Sequence, residues 1–363
     1  MSLQTIDAIN NRGRIYEVGG VVRDRLFSGD VVTKDRDYLV TGIPYNELST
    51  LLSKYGRVDL VGRSFGVIKF TQFNDGEAHT FDISLPRNEI STGPGHRDFE
   101  VSFDPELPVE EDLGRRDFTV NAMAVDLATG RLIDPLGGRD DLERGQLRMV
   151  SDNSFVEDPL RMVRAVQFAA RFDLSIEEAT LAAMNLHAEL IGSVSQERIA
   201  EEIAKLLTRA SKPSIGLRLM QEAGLLSHVI PELETCVAVD QPGSYHKYDV
   251  FEHTMHIIDC CRPQLRLRLA ALFHDITKPQ HKQIVEKGAT FYGHESSGAR
   301  TARQVMRRLH FSNDLISDVQ ILVERHMFTT DVSQKGMRRL IRRVGVPLIF
   351  DLLDLRRADV VAQ

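Results

Sequence analysis

The hydrophobic pattern of this chain changes near residue 151, and that change constrains the fold more than any other feature. Residues 14–135 mix short apolar runs with Gly, Asp and Pro turns. That pattern predicts a helix in YNELSTLLSKYG, ending at Gly56, and strands in RIYEVGG, DYLVTG, FGVIKFTQF, HTFDISL and FEVSF. Later, apolar residues recur every three or four positions in PLRMVRAVQFAARF, ERIAEEIAKLLTRA and SIGLRLMQEAGLL. We therefore predict an α+β fold, a mixed sheet with helices followed by all-α segments.

Two segments interrupt these patterns. VIPELETCVAVDQPGSYHKYDV (229–250) breaks the helical periodicity with Pro and Gly, and we expect a domain boundary there. PRNEISTGPGHRD (86–98) is rich in Gly, Pro and polar residues, which predicts a flexible loop. With 363 residues, the chain is too long for one ordinary core, so we expect two or three domains.

Composition excludes several classes of protein. No window of about 20 apolar residues exists, so no membrane span is expected, and the N-terminus lacks an apolar signal core. The three cysteines, Cys236, Cys260 and Cys261, fit neither a zinc finger nor a disulfide framework, which favours a reducing, cytoplasmic location.

Basic residues cluster in three places although the net charge is −7, which argues against a general nucleic-acid binder. The clusters are RPQLRLR (262–268), RTARQVMRR (300–308) and KGMRRLIRR (335–343). Each can be a solvated helix face, and several clusters on one side of the protein could instead track a phosphate backbone.

Asp35 and Asp37 stand two positions apart where a predicted strand begins, so their side chains share one face. Two like charges side by side suit a divalent cation that both can ligate. Just upstream, Gly19 and Gly20 let backbone N–H groups approach a phosphate, and Arg23 can pair with one. Together these residues predict a nucleoside triphosphate held with Mg²⁺.

Further candidates for the same site come from two other segments. Asp82 could supply a third carboxylate from a neighbouring strand, or could be an ordinary solvent-facing strand residue. Arg115 and Arg116 suit a triphosphate, and the Asn121 amide suits a ribose hydroxyl. These residues and Asp117 could instead form local salt bridges at a helix start.

VEDPLRMVRAVQFAARF (156–172) predicts an amphipathic helix in which Asp158, Arg161 and Arg164 share roughly one face. A carboxylate and a guanidinium in fixed geometry can read the edge of a base. Asp158 followed by Pro159 is also a good helix N-cap, and a cap would leave the two arginines unexplained.

Five motifs in order resemble those of class II tRNA nucleotidyltransferases, the CCA-adding enzymes, with bacterial poly(A) polymerases as close relatives. They are VGGVVRD, KDRDYLV, RRDFTVNAM, DPLGGRDDL and EDPLRMVRAVQFAARF, and the resemblance covers about residues 14–210. It implies a polymerase-β-like nucleotidyltransferase head followed by a helical neck. It also implies the tRNA 3′ end, CTP and ATP as partners.

The resemblance carries specific roles over to this chain. Asp35 and Asp37 are expected to bind Mg²⁺, and Gly19, Gly20 and Arg23 to meet the triphosphate. Asp158 and Arg161 are expected to pair with the incoming base as a protein template, with Arg164 in support. The motif that handles the sugar and phosphates matches Arg115, Arg116, Asp117 and Asn121.

The C-terminal half is rich in histidine, and its order of His and Asp residues resembles the HD phosphohydrolase superfamily. Burying the adjacent His274 and Asp275 on an apolar helix without partners would be costly. The resemblance implies a second divalent metal, of undetermined identity, and phosphatase or phosphodiesterase activity. The expected ligands are His253 (rather than His256), His274, Asp275, His294, His326 and Asp359. Thr277 departs from the usual HDIGKP motif and could tighten the pocket; a purely structural histidine cluster is the alternative.

These observations predict a head at 1–150, a helical neck at 151–235 and an HD domain at 236–363. Such proteins often continue with more helices after the last motif, so a chain ending at Gln363 is expected to be a short natural or a shortened form.

The expected function is CCA addition, which the Gly-rich segment at 86–98 favours over addition of CC alone. Alternatives are a poly(A) polymerase, disfavoured by VGRSFGVIKF, an enzyme adding only CC or only A, an HD phosphohydrolase with a nucleotide-sensing N-terminal half, and a silent RNA-binding protein.

Overall fold

A computed structural model describes residues 1–29, 36–61, 66–74, 77–91, 99–242, 248–286, 288–329 and 333–362. The chain forms two compact units. The first comprises Met1–Asp158 and Ser175–Thr180, and the second comprises Pro159–Leu174 and Leu181–Gln363. Among the helices described, none has the length and apolar character needed to span a membrane.

The first unit is a sheet with helices. Its elements are α1 (Leu3–Asn10), β1 (Arg14–Val18), α2 (Gly20–Ser28), β2 (Asp37–Thr41), α3 (Tyr45–Leu52), β3 (Arg57–Val61), β4 (Val67–Asn74), β5 (Glu77–Ser84), β6 (Arg87–Ser91), β7 (Phe99–Phe103), α4 (Val109–Gly114), a 3₁₀ turn (Thr119–Asn121), β8 (Ala124–Asp126), β9 (Leu132–Ile133), α5 (Gly138–Glu143), β10 (Gln146–Leu147), α6 (Ser154–Glu157) and β11 (Ser175–Ile176).

The main sheet is mixed, with strand order β3-β4-β5-β2-β1-β8-β9. Its β2–β5 pair is parallel, and the other pairs given for this sheet are antiparallel. The predicted α+β class is confirmed. The strands predicted from the alternating runs are also confirmed, as β1, β2, β4, β5 and β7. The predicted helix is present as α3, but it ends at Leu52 and not at Gly56.

The predicted flexible loop at 86–98 is wrong over its first part. Residues 87–91 form β6, which pairs antiparallel with β7 from Arg87↔Phe103 to Ser91↔Phe99. The Gly and Pro content of the whole window hid a short strand whose pairing partner stabilises it. Residues 92–98 lie outside the described residues.

Alternation along β2 assigns its side chains to two faces of the sheet. Tyr38 and Val40 pack in one apolar cluster with residues of α1 and α3. Leu39 packs on the other face, in a cluster that includes Leu113 of α4. Because Asp37 is two residues before Leu39, it begins the strand on the face that α4 covers.

The second unit is helical apart from one hairpin. It contains α7 (Leu160–Phe172), most of α8 (Glu178–His187), a 3₁₀ segment (Ala188–Ser193), α9 (Gln196–Arg209), α10 (Pro213–Glu222), α11 (Leu226–Val229), α12 (Pro231–Glu234), α13 (Val250–Cys260), α14 (Leu265–Phe273), α15 (Lys278–His281), β12 (Gln283–Val285), β13 (Gly288–Thr290), α16 (His294–Arg308), α17 (Asn313–Arg325), α18 (Gln334–Val344) and α19 (Val346–Val361).

The helix predicted across residues 156–172 begins later than expected. Asp158 is extended, with φ −139° and ψ 97°, and it ends the short helix α6. Pro159 has helical dihedral angles and α7 continues from Leu160. A residue before proline is disfavoured in the α region, so the predicted common helical face of Asp158, Arg161 and Arg164 holds only for the two arginines.

Candidate active sites

Asp37 and Asp82 are neighbours across the sheet. In the parallel pair β2–β5, Asp37 is opposite Asp82, and paired residues of adjacent strands lie about 5 Å apart. On its other side Asp82 is opposite Lys69 of β4, whose Nζ lies 3.8 Å from Asp82 Oδ1. Asp37 is exposed and Asp82 is half-exposed, so both are accessible to a cation. Asp35 lies outside the described residues.

The turn between β1 and α2 packs closely against the guanidinium of Arg116. Gly19 has a positive φ of 75°, and a Cβ at this position would lie 2.8 Å from Arg116 Nη1. Any other residue would therefore be strained in its backbone and would displace the guanidinium. Gly20 begins α2, so the turn brings backbone N–H groups and the Arg116 side chain together.

Arg23 is buried beneath this turn and fixed by carboxylate and amide oxygens. Its Nη1 donates to Asn121 Oδ1 at 2.6 Å, and its Nε donates to Asp24 Oδ1 at 2.9 Å. Asn121 in turn donates from Nδ2 to Asp117 Oδ1 at 2.9 Å, and Phe118 N donates to the same oxygen at 2.8 Å. The predicted residues Arg23, Asp117 and Asn121 thus form one buried chain of hydrogen bonds, and phosphate binding by Arg23 stays a prediction.

Asp112 organises the two arginines and was missed from the sequence. It is fully buried at the end of α4. Arg115 Nε donates to Asp112 Oδ1 at 2.8 Å, and Arg116 Nη2 donates to Asp112 Oδ2 at 3.3 Å. Arg116 Nε is buried and has no hydrogen-bond partner in the described part of the chain. The signal that could have found Asp112 was a carboxylate three and four residues before two arginines.

Arg161 and Arg164, the two arginines predicted to support base recognition, lie on α7 and are both partly buried. Arg164 Nη1 lies 3.6 Å from Oε1 of the buried Glu202 of α9. Its guanidinium also lies 5.2 Å from the centroid of the Phe168 ring. These contacts fix Arg164, and its supporting role stays a prediction. The buried apolar face of α7 packs against α9 and α10.

The histidine-rich half brings the six predicted HD residues into one buried cluster. They come from separate elements: His253 from α13, His274 and Asp275 from the turn after α14, His294 from the first residue of α16, His326 from the end of α17, and Asp359 from α19. The His274–Asp275 pair was predicted to lie on a helix, but it lies in the turn that follows α14. His256 instead packs on Tyr248, with ring centroids 4.2 Å apart.

Asp275 is at the centre of this cluster. Its Oδ2 lies 3.0 Å from His274 Nε2 and 3.7 Å from His253 Nε2. Its Oδ1 lies 3.2 Å from His294 Nε2 and 3.8 Å from His326 Nε2. Asp359 is the sixth residue of the cluster, and its Oδ1 lies 3.2 Å from His253 Nε2.

The tautomers of three histidines are fixed by the backbone. The Nδ1 atoms of His274, His294 and His326 donate to carbonyl oxygens three residues earlier, at 2.8, 2.7 and 2.7 Å. A carbonyl only accepts, so each Nδ1 carries a proton. When such a ring is neutral, the lone pair of Nε2 is directed inward, as in metal-ligating histidines. His274 Nε2 is buried with no hydrogen bond among the described residues.

The electrostatics of the cluster favour positive charge at its centre. Burial opposes ionisation of Asp275, but His274 and Lys278 outweigh it and hold the pKa of Asp275 well below its usual range. Burial likewise disfavours a charged His274, but Asp275 raises its pKa. Burial, with repulsion from His274, lowers the pKa of His326 to about 3, so its ring is neutral at pH 7.

Lys278 is a second residue of these sites that was not predicted from the sequence. It is buried, its Nζ lies 2.7 Å from Asp275 Oδ2, and it donates to Gln241 Oε1 at 2.7 Å. A cavity of about 360 Å³ opens on the cluster and is lined by Lys278, Asp275, His294, Tyr292 and others. The sequence signal that could have revealed Lys278 was a lysine three residues after Asp275 in HDITKP.

The Thr277 that departs from the usual motif makes specific contacts. Its Oγ1 donates to the backbone carbonyl of His294 at 2.9 Å and lies 2.8 Å from Ser297 Oγ. Ser297 Oγ is 2.7 Å from His281 Nε2. Thr277 thus ties the turn that carries His274 and Asp275 to the helix that carries His294.

Three family models match successive parts of the chain. One described as the poly A polymerase head domain matches residues 15–148, one described as a probable RNA and SrmB-binding site of polymerase A matches 173–236, and an HD domain matches 250–362. A multifunctional CCA protein of Herminiimonas arsenicoxydans is 37% identical over 319 residues, 86% of this chain and 72% of that protein. One of Nitrosococcus oceani is 37% identical over 81% of this chain and 70% of that protein.

The chain belongs to the family of CCA-adding tRNA nucleotidyltransferases. A crystal structure of the Bacillus stearothermophilus CCA-adding enzyme in complex with CTP shares the fold, with a TM-score of 0.70 and 23% identity over 98% of this chain and 76% of that one. The Thermotoga maritima CCA-adding enzyme complexed with tRNA has a TM-score of 0.61 and 21% identity over 99% of this chain and 76% of that one. The predicted family, the predicted fold and the predicted enzyme class are confirmed.

The donor sets of this CCA-adding family member fit divalent cations at both sites. Asp37 and Asp82 offer adjacent, accessible carboxylates, the donors that a hard cation prefers. In the HD cluster, the donor atoms of His253, His274 and Asp359 lie within 4.8 Å of one another, and so do those of Asp275, His294 and His326. Imidazole with carboxylate suits a transition metal, and the buried His274 Nε2 without a hydrogen bond is the atom that such a cation would satisfy.

Proposed function

We propose that this protein adds CCA to the 3′ end of tRNA, using CTP and ATP and no nucleic-acid template. The observation that carries the proposal is the pairing of Asp37 with Asp82 on the sheet face covered by α4, with Arg115 and Arg116 at the end of that helix. Carboxylates and arginine forks on one face supply what nucleotidyl transfer requires, which is positioning and neutralisation of charge. The activity is expected in the cytoplasm, where tRNA is processed.

In the proposed reaction, the tRNA 3′ hydroxyl attacks the α-phosphorus of the bound nucleotide, a new P–O bond forms, and pyrophosphate leaves. Mg²⁺ bound at this site would lower the pKa of the hydroxyl and neutralise the triphosphate. Asp37 and Asp82, with Asp35, are the residues that we assign to hold it. Arg115 and Arg116, both anchored on Asp112, would bind the phosphates.

Base choice is assigned to Asp158 and Arg161. Arg161 would donate to base acceptors and Asp158 would accept from the exocyclic amine that CTP and ATP share. Arg164, fixed by Glu202 and Phe168, would hold the helix face in place. A site that hydrogen-bonds a substrate group rejects analogues without it, because its own polar groups are left unpaired.

A second activity, hydrolysis of phosphoesters at the HD cluster, is favoured by the inward-facing Nε2 atoms and by Lys278 beside the cavity. In the proposed step, water attacks the phosphorus, one ester P–O bond breaks, and the proton goes to the departing ribose oxygen. A divalent metal held there would supply a hydroxide near neutral pH. Lys278, buried at the wall, would pair with a phosphoryl oxygen.

The test uses tRNA that ends before CCA, with labelled CTP and ATP, and 2′,3′-cyclic nucleotides as the second substrate. His274→Ala is expected to lose hydrolysis of the cyclic phosphodiester and to retain nucleotide addition. Asp37→Asn is expected to lose nucleotide addition and to retain hydrolysis of the cyclic phosphodiester. Loss of both activities in both variants, with unchanged folding by circular dichroism, would contradict the assignment of two separate sites.

A further inference from the structure

Of the three basic clusters in the sequence, the first has structural partners. Arg262 and Arg266 both pair with Asp351, at 3.3 and 2.6 Å. Arg268 is buried and donates to the backbone carbonyls of Leu207 and Ala210 at 2.7 and 2.9 Å. This cluster therefore holds the helical unit together and offers little charge to a ligand.

The third cluster lies on α18. Unlike the first, it is neither buried nor paired with carboxylates in the part of the chain that the structure describes. Its basic residues are spaced i, i+3, i+4, i+7 and i+8, which places them on one face of the helix: Lys335, Arg338, Arg339, Arg342 and Arg343. They are all exposed and pair with no carboxylate among the described residues. Apolar Met337, Leu340, Ile341 and Val344 occupy the opposite face, and α18 contains no acidic residue.

The basic face borders a groove that leads towards the HD cavity. The groove has a volume of about 510 Å³, and Arg339 and Arg343 form one of its walls. It shares Glu295 and Met327 with the cavity lined by Asp275 and His294. A chain-like ligand in the groove can therefore end at the cluster.

Two acidic residues also line this groove. Glu324 is paired with Arg325, at 3.5 Å. Glu295 lies 3.6 Å from His294 Nδ1. Three arginines line the groove against these two carboxylates: Arg325, Arg339 and Arg343. The other basic residues of α18 add positive charge beside it, so the groove attracts anions.

Aromatic side chains line the same groove and the adjoining HD cavity. Tyr292 lines the HD cavity and is 83% exposed, so its ring is accessible to a ligand in the cavity. Phe328 lines the groove. A basic track combined with aromatic faces is the pattern by which proteins bind single-stranded nucleic acid, through phosphates and stacked bases.

We propose that the α18 face docks the backbone of single-stranded RNA and directs its terminal phosphoester into the HD cavity. The HD substrate is then the end of a polyribonucleotide rather than a free mononucleotide. This inference rests on the proposed phosphohydrolase function of the same cluster, and it adds the class of substrate and the surface that selects it.

The test compares Arg339→Gln/Arg343→Gln with the control Arg303→Gln/Arg307→Gln on α16, which removes the same charge from exposed positions outside the groove. Substrates are a fluorescent twelve-nucleotide RNA with a 2′,3′-cyclic phosphate end and free 2′,3′-cyclic CMP. The α18 pair is expected to reduce kcat/KM on the RNA at least about tenfold, and to lower the salt dependence of RNA binding by about 0.7 per arginine removed. Both pairs should leave cyclic CMP hydrolysis and CCA addition within about twofold of wild type.

Equal loss on RNA and cyclic CMP, or equal effects of the α18 and α16 pairs, would overturn the docking proposal. So would equal competition by polyglutamate of matched charge, since a general anion site would then suffice. If the wild type hydrolyses neither substrate, the hydrolytic function fails by itself. Fluorescence anisotropy of the same RNA then decides the docking, with unchanged affinity and salt slope in the α18 pair counting against it.

Discussion

Asp37 and Asp82 occupy paired positions on the parallel strands β2 and β5, and Asp82 is flanked by Lys69 of β4. A parallel neighbour is reached only after the chain has formed β3 and β4, so residues 45 positions apart in sequence become adjacent in space. Substitution of Asp82 therefore tests whether it acts together with Asp35 and Asp37.

Asp82→Asn is expected to reduce nucleotide addition at least about 100-fold, because a carboxylate beside a bound metal contributes several kcal/mol of charge stabilisation. Asp35→Ala and Asp37→Ala are expected to abolish addition. The matched control is Asp59→Asn, an exposed carboxylate on β3 that pairs with Arg57. Single-turnover rates at saturating Mg²⁺ measure the effect, and a rate for Asp82→Asn equal to that of the control would leave it as a solvent-facing strand residue.

Asp158→Ala separates the template role from the capping role. If Asp158 accepts from the exocyclic amine, discrimination against UTP and GTP falls by roughly 1–3 kcal/mol, or about 5- to 150-fold. If it serves only as a cap, stability falls by about 1 kcal/mol and nucleotide choice is unchanged. Misincorporation and thermal melting on the same variant distinguish the two, with the exposed Asp152→Ala as control. Unchanged selectivity would refute the template assignment.

Thr277 is expected to support the HD cluster through its hydroxyl group. Thr277→Val keeps the volume and removes the hydrogen bonds to the His294 carbonyl and to Ser297, so we expect a loss of about 1–3 kcal/mol in stability. The gain in melting temperature on adding Mn²⁺ to EDTA-treated protein should also shrink, because His294 is less well placed. Thr277→Ser retains the hydroxyl and should behave like the wild type. Identical melting of the Val and Ser variants, with and without metal, would show that the hydroxyl does not position the site.

Arg268→Lys is expected to destabilise the helical unit although it conserves charge. The guanidinium of Arg268 reaches the carbonyls of Leu207, Ala210 and Cys261 at once, and a single ammonium cannot. Each buried carbonyl left without a donor costs about 1–3 kcal/mol. Arg209→Lys, at an exposed position of α9, is the control and should stay within about 0.5 kcal/mol. Equal unfolding free energies for the two variants in urea would contradict this role.

Local patterns predicted much of this molecule, and long-range pairing explains most of what they missed. Alternation found β1, β2, β4 and β5 because each strand has a buried and a solvated side. The strand β6 was missed because its stability comes from pairing with β7. The basic residues Arg262 and Arg266 resembled a solvated face because their partner, Asp351, lies more than eighty positions further along the chain.

The two candidate sites show the same contrast between residues that local motifs predict and residues whose roles depend on long-range contacts. Motif order predicted which side chains form the HD cluster, since the residue types themselves carry the metal chemistry. It did not reveal Lys278 or Asp112, whose roles depend on burial beside a partner. The start of α7 was misplaced at Asp158 because periodicity was extended across Pro159, which restricts the residue before it.

The most direct measurement of the central claim uses tRNA ending before CCA, incubated with each labelled nucleotide separately and then with CTP and ATP together, followed by resolution of the products at single-nucleotide length. We expect addition of C residues with CTP alone, completion to CCA when ATP is also present, and no extension with UTP or GTP. Long adenylate tails with ATP alone would identify a poly(A) polymerase. Termination after CC in the presence of both nucleotides, or no extension at all, would equally contradict the account.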